Sequence, residues 1–224
     1  MRLKLSLSVK GLFRMRKVRL WCLGCMAWLL TWQANAHPHA FIEMQTEFLI
    51  EQNRLIGFRM SWLFDPAASA EIIYDLNRAK DSAQTRRRMT GEIMQNIVNQ
   101  HYFSYFYDKN RQPLRYSTKP DSDELRIQGD RLWFSFRFYL AEPQPLAGFE
   151  GSLSTYDPGY YVAMYYPSPM NGTLPEYPQC KISVYTPKID DFLKNYAESL
   201  DKSQRDEDLT LGSQFAQQVK LTCR

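Results

Sequence analysis

Between Arg131 and Leu140 the chain reads R-L-W-F-S-F-R-F-Y-L, with Gly129-Asp130 before it and Pro143 and Pro145 after it. Bulky apolar side chains at alternate positions spread around a helix but line one face of a strand. The stretch Leu55 to Phe64 (L-I-G-F-R-M-S-W-L-F) alternates in the same way. It follows the β-leaning run Ala40 to Ile50 across the polar cluster Glu51-Gln52-Asn53-Arg54, so the two runs read as a hairpin. Trp62, Phe64, Trp133, Phe134, Phe136 and Phe138 are then the core of a sheet rather than a sugar-binding platform.

The remaining elements fit around that sheet. Gly129-Asp130 is a hairpin turn signal between Leu125–Gln128 and Arg131–Leu140. Asp65-Pro66 supplies an N-cap and a first helical residue for a helix over Ala67–Ala79, with Ile72, Ile73, Leu76 and Ala79 on one side. A second helix is predicted from about Thr85 to Gln100, with Met89, Ile93, Ile97 and Val98 as its apolar stripe and Arg86-Arg87-Arg88 as a solvated face. After His101 strands are predicted at Tyr102–Tyr107, Leu114–Tyr116, Phe149–Thr155, Tyr160–Tyr165 and Ile182–Tyr185. Pro143 and Pro145 are expected to end the aromatic strand, and a loop rich in proline (Pro167, Pro169, Pro175, Pro178) separates the last two strands. Asp190–Leu200 reads as a short helix and Gln214–Thr222 as a strand or a helix. The fold class is α+β: a strand-rich single domain with a helical pair inserted early.

The first 36 residues belong to a different class. Seven basic side chains and no acidic one precede an apolar run, Leu20 to Trp32, which leads to Ala34-Asn35-Ala36. That order is a secretory signal peptide with a small-x-small cleavage site, giving residues 1–36 as signal and 37–224 as the exported domain. The apolar run of 13 residues is short for a bilayer span, so the exported chain is not expected to cross the membrane. The precursor carries 28 basic and 24 acidic residues; without the signal it carries 21 and 24, a net charge of −3. A net-negative chain has no excess with which to neutralise phosphates, and a nucleic-acid partner is excluded on that ground. Cys22 and Cys25 leave with the signal. Cys180 and Cys223 remain, an even pair expected to form a disulfide in an oxidising compartment.

Cleavage after Ala36 makes His37 the new N-terminus and sets His39 two residues on; only one other histidine, His101, exists in the chain. An N-terminal histidine offers an α-amine and an imidazole, and His39 adds a third nitrogen. Such a set suits zinc first, and also nickel, cobalt or copper. Pro38 has no backbone N–H, which argues against a copper site built on deprotonated amides and for side-chain ligation completed from elsewhere. The completing ligands are sought at His101, otherwise a packing histidine; at Asp65, otherwise an N-cap; at Asp157, otherwise the head of an Asx turn; and at Glu43, on the strand leaving the histidine pair. No G-x-S-x-G, H-E-x-x-H or phosphate-cradling glycine loop is present, and the chain is read as no enzyme. The one enzyme alternative is an oxidative copper centre braced by the N-terminal histidine.

Several motifs together resemble the DUF1007 family of exported proteins, described as periplasmic components of an ABC-type transport system. They are H-P-H-x-F-I (His37 to Ile42), W-x-F-D (Trp62 to Asp65), Y-F-S (Tyr102 to Ser104), Y-D-P-x-Y-Y-V (Tyr156 to Val162) and the late cysteine pair. The resemblance implies a periplasmic location, association with an inner-membrane permease of the nickel/cobalt-exporter type, and a part in zinc acquisition, as in the Zev zinc-uptake system of Gram-negative bacteria. It implies His37 and His39 as the first ligands, with Asp65 and Asp157 next. The chain has no histidine-rich loop of the kind zinc scavengers carry, so a delivery or accessory role is expected, with a non-metal interaction subunit as the alternative.

Overall fold

The hairpin forms from β1 (Ala40–Glu51) and β2 (Arg54–Phe64), antiparallel from Ile42 opposite Phe64 to Glu51 opposite Arg54. Its turn residues Gln52 and Asn53 both take left-handed φ (49° and 56°), the twist that a two-residue hairpin requires. The computed structural model describes residues 38–168, 171–200 and 210–224. The signal segment, His37 and Pro169 lie outside the described residues.

β5 (Arg131–Pro145) pairs with β2, and β4 (Asp121–Gln128) pairs with β5 through the tight turn at Gly129, whose φ is +66°. β7 (Val162–Tyr165) joins β1 in parallel and completes a first sheet of order β4-β5-β2-β1-β7. The second sheet has the order β3-β6-β10-β9-β8, built from β3 (Ser104–Asp108), β6 (Glu150–Thr155), β8 (Gly172–Leu174), β9 (Tyr177–Tyr185) and β10 (Gln218–Cys223).

Alternation decides what faces inward. Met44, Phe58, Met60, Trp62, Phe134, Phe136 and Phe138 are buried on one face of the first sheet. They share one core with Phe106, Leu153, Val219 and Leu221 of the second sheet. The rings of Phe58 and Phe106 meet edge-on across the two sheets, 5.0 Å between centroids. Each buried phenylalanine contributes roughly 2–3 kcal/mol to stability. Helices α1 (Pro66–Arg78) and α2 (Ser82–Asn99) cover the rest of that inner face through Leu76, Met89, Met94 and Ile97. The Leu132 N–H donates to the buried Ser69 hydroxyl (2.9 Å), pinning α1 to β5.

The strand-rich body, the early helical pair and the Cys180–Cys223 disulfide agree with the sequence reading. Several local expectations do not: the strand expected from Tyr102 starts only at Ser104, after a turn over His101–Phe103, and the proline-rich stretch expected as a loop holds β8 and carries Pro178 inside β9. Trp133 turns to the outer face, where the Arg126 guanidinium lies 3.6 Å from its ring centroid. Leu114–Tyr116 makes only isolated bridges at its flanks, Tyr107 with Pro113 and Tyr116 with Leu140. Pro143 does not end β5, which runs on to Pro145: pairing with β2 jumps from Gly57–Tyr139 to Leu55–Gln144, so Pro143 sits in an irregularity where no ladder N–H is needed. The C-terminal segment divides into a short helix α4 (Leu211–Phe215) and β10, while α3 (Asp191–Ser199) matches its predicted helix.

Candidate functional site

The start of β1 is held from two sides. On one side, the His39 and Ala40 N–H groups both donate to the Tyr161 carbonyl (2.9 and 3.3 Å). On the other, the Phe41 N–H donates to Asp65 Oδ2 (2.7 Å) and the Asp65 N–H returns a bond to the Phe41 carbonyl (2.9 Å). Asp65 also caps α1, its Oδ1 accepting from the Ala68 N–H (2.9 Å). Partial burial works to raise the Asp65 carboxyl, but the amides of Ala68, Phe41 and Ala67 and the Arg131 charge outweigh it and hold it below its ordinary value.

Tyr161 belongs to the Y-D-P-x-Y-Y-V stretch, and Asp157 organises that loop from within. Its Oδ1 accepts from the Gly159 N–H (3.3 Å), its Oδ2 from the Val162 N–H (3.1 Å), and its carbonyl from the Tyr160 N–H (2.9 Å). This is Asx-turn geometry. Gly212 presses on the loop from α4: a Cβ there would lie 1.8 Å from the Asp157 carbonyl oxygen. The His39 ring, half-buried, lies 5.5 Å from the Tyr161 ring. An apolar cavity of about 380 Å³ opens beside this end of β1, lined by Phe41, Tyr156, Tyr160, Val162, Met164 and Phe215.

His39, Asp65 and Asp157 are therefore gathered about one strand end by the backbone around them. His101 belongs elsewhere. It follows α2 in a turn whose residues His101, Tyr102 and Phe103 all have left-handed φ (53°, 58° and 51°). Such backbone costs about 1–2 kcal/mol per non-glycine residue. The buried Tyr102 ring, stacked on Phe138 at 4.4 Å, and the buried Ser104 hydroxyl, donating to the Tyr102 carbonyl, offset it. The His101 ring packs on Tyr105 and Tyr116, and Nδ1 lies 3.1 Å from the Ser104 carbonyl; a carbonyl only accepts, so Nδ1 carries the proton. Glu43 points along the outer face of the first sheet to Arg131 (2.9 Å), whose guanidinium also donates to the Leu63 and Phe64 carbonyls.

Among the described residues no group of three or more His, Cys, Asp and Glu side chains is arranged to hold a metal ion. The donors at the strand end are one imidazole and two carboxylates, each carboxylate oxygen already accepting at least one amide proton. A metal shell here would draw on His37, which lies outside the described residues. Arg131 and Gly212 carry no motif and act through contacts distant along the chain, so sequence alone gave no sign of them as supports; Tyr161 lies in the Y-D-P-x-Y-Y-V motif, but its role is that of its backbone carbonyl, which no side-chain pattern announces.

These features define a two-sheet α+β domain whose N-terminal strand is fastened by one capping aspartate and one Asx-turn loop. The chain belongs to the family described as a protein of unknown function (DUF1007), whose model matches residues 22–223. It is 42% identical over 189 residues to a protein of Haemophilus influenzae described as uncharacterized, covering 84% of this chain and 91% of that one. No solved structure matches it.

Proposed function

We propose that this is a periplasmic protein that binds a divalent cation, zinc first, and hands it as cargo to an inner-membrane permease of the nickel/cobalt-exporter type. What carries the reading is the gathering of His39, Asp65 and Asp157 at the start of β1, directly after His37 in sequence. A delivery site needs ligands that exchange. An imidazole beside carboxylates already fixed by backbone amides meets that need, because neither has to break the fold to release the ion.

The test is native mass spectrometry and zinc titration of the exported protein. One zinc on a chain beginning at His37 is expected, and His37→Ala with His39→Ala is expected to weaken zinc at least about tenfold. The melting temperature of the metal-free protein should stay nearly unchanged, since the bonds from the His39 and Ala40 amides to the Tyr161 carbonyl that fasten β1 are backbone bonds and survive the substitution. An unaltered titration in the double variant overturns the reading.

A second reading has its own support: both carboxylates are committed to backbone amides, and the described residues hold no three-ligand group. Under it the protein is an exported interaction subunit that contacts a permease without metal. Capture of the permease that persists in chelator is its expected result.

A further inference from the structure

We infer that the outer face of the second sheet is a binding trough for an acidic polysaccharide. The trough follows from strand register. On β6 the outward side chains include Ser152 and Ser154, both short. Across one strand gap Ser152 faces Tyr107 of β3, and across the other it faces Lys220 of β10; Ser154 likewise lies between Tyr105 and Gln218. Strands are spaced about 4.8 Å apart, so the walls stand about 10 Å from each other over a floor of serines. That width suits one sugar chain lying along β6. A cavity of about 510 Å³ opens at the Tyr107 end, reaching from Lys109 and Arg111 on one wall to Gln218 and Lys220 on the other.

The chemistry of the lining selects the occupant. The outward positions of β3, β6 and β10 hold no aliphatic side chain that would seat an apolar peptide. A tyrosine ring packs against the C–H face of a sugar, and serine, glutamine and lysine donate to ring and hydroxyl oxygens. The charge balance points to an acidic sugar. Of the two acidic residues lining the cavity, Asp108 accepts from the Asn110 and Gln112 N–H groups of its own turn (2.8 Å each), and Glu150 is paired with Lys220, against three basic residues, Lys109, Arg111 and Lys220. Among the described residues Lys109 and Arg111 enter no ion pair, and they stand at the mouth of the trough with their charge unspent. The site is independent of the metal reading.

The test is calorimetric titration of the exported protein with polygalacturonate, with dextran as a neutral polysaccharide and with an oligothymidylate as a polyanion lacking that sugar backbone. Binding to polygalacturonate that weakens with salt is expected. Lys109→Glu with Arg111→Glu should weaken it at least about tenfold, because like charges then face the ligand. Tyr107→Ala should weaken it several-fold with only a small change in melting temperature, since Tyr107 lies on the outer face and is 37% exposed. Ser152→Trp, which fills the floor, should abolish it. No binding of polygalacturonate, binding unmoved by these variants, or preference for dextran or the oligothymidylate overturns the proposal. None of these outcomes bears on zinc affinity, so the two proposals fail separately.

Discussion

At Asp65 one carboxylate closes two structures, capping α1 through Ala68 and tying β1 through the Phe41 amide. Asp65→Ala is expected to cost about 1–2 kcal/mol, the upper range for a lost cap, because a strand tether goes with it. Asp65→Asn keeps one acceptor and should cost less. The pH dependence has a definite sign. The folded carboxyl titrates below its ordinary value of 3.8, so its contribution is present above that pH and is lost as pH falls further, through the folded value. The stability gap between wild type and Asp65→Asn should therefore be constant from neutral pH down to about 5 and close progressively below about 4. Urea unfolding across that range measures it; a gap that widens in acid refutes the assignment. The cap was legible from Asp65-Pro66 alone, since capping is local. The tether to Phe41 was not, because the two residues are 24 apart and only the folded hairpin brings them together. His101 shows the same limit: nothing in H-Y-F announces three left-handed residues, which exist because the buried Tyr102 and Ser104 require them.

Among the elements, α4 has an influence out of proportion to its five residues. Its Gly212 lies against the Asp157 carbonyl, and the Asp157 loop presents the Tyr161 carbonyl that fastens His39 and Ala40. In Gly212→Ala the new methyl meets backbone on one side and the Tyr156 ring, 3.2 Å away, on the other. Neither yields cheaply, and a loss of about 1–3 kcal/mol is expected. Hydrogen exchange should quicken at the Ala40 amide more than at Phe58 in the centre of the core, because the displaced loop is what holds the strand end. Equal acceleration throughout would mean that α4 supports the fold but not the site. Elements with their own periodicity were readable in advance: the β1–β2 hairpin, α1, α2, β5 and α3. Those without it were not. β8 has three residues and exists only as a partner for β9, and the flanks of Leu114–Tyr116 bridge to other segments without a ladder of their own. Pro143 misled because a proline stops a regular ladder, whereas β5 is irregular there.

For the molecule as a whole, the order of the second sheet sets β10 between β6 and β9, so the C-terminal strand completes its centre rather than an edge. The disulfide joins β9 to β10 at directly opposed positions, Cys180 and Cys223, both buried in the core the two sheets share. The bond closes a separation of 43 residues that includes α3 and α4. By loop-closure entropy such a link is worth about 4 kcal/mol, with measured cases nearer 2–4. Backbone pairing from Gln218 opposite Tyr185 to Thr222 opposite Lys181 flanks the bridge and does not depend on it. Cys180→Ala with Cys223→Ala should therefore fold to the same structure with its melting temperature lowered by about 5–15 °C, as 2–4 kcal/mol implies for a domain of this size. Because both sheets contribute to one core, the variant should still melt in a single transition, with near- and far-ultraviolet circular dichroism falling together. Two separated transitions would instead make β8, β9 and β10 a unit that depends on the disulfide, and the shared core would then not be what couples the sheets.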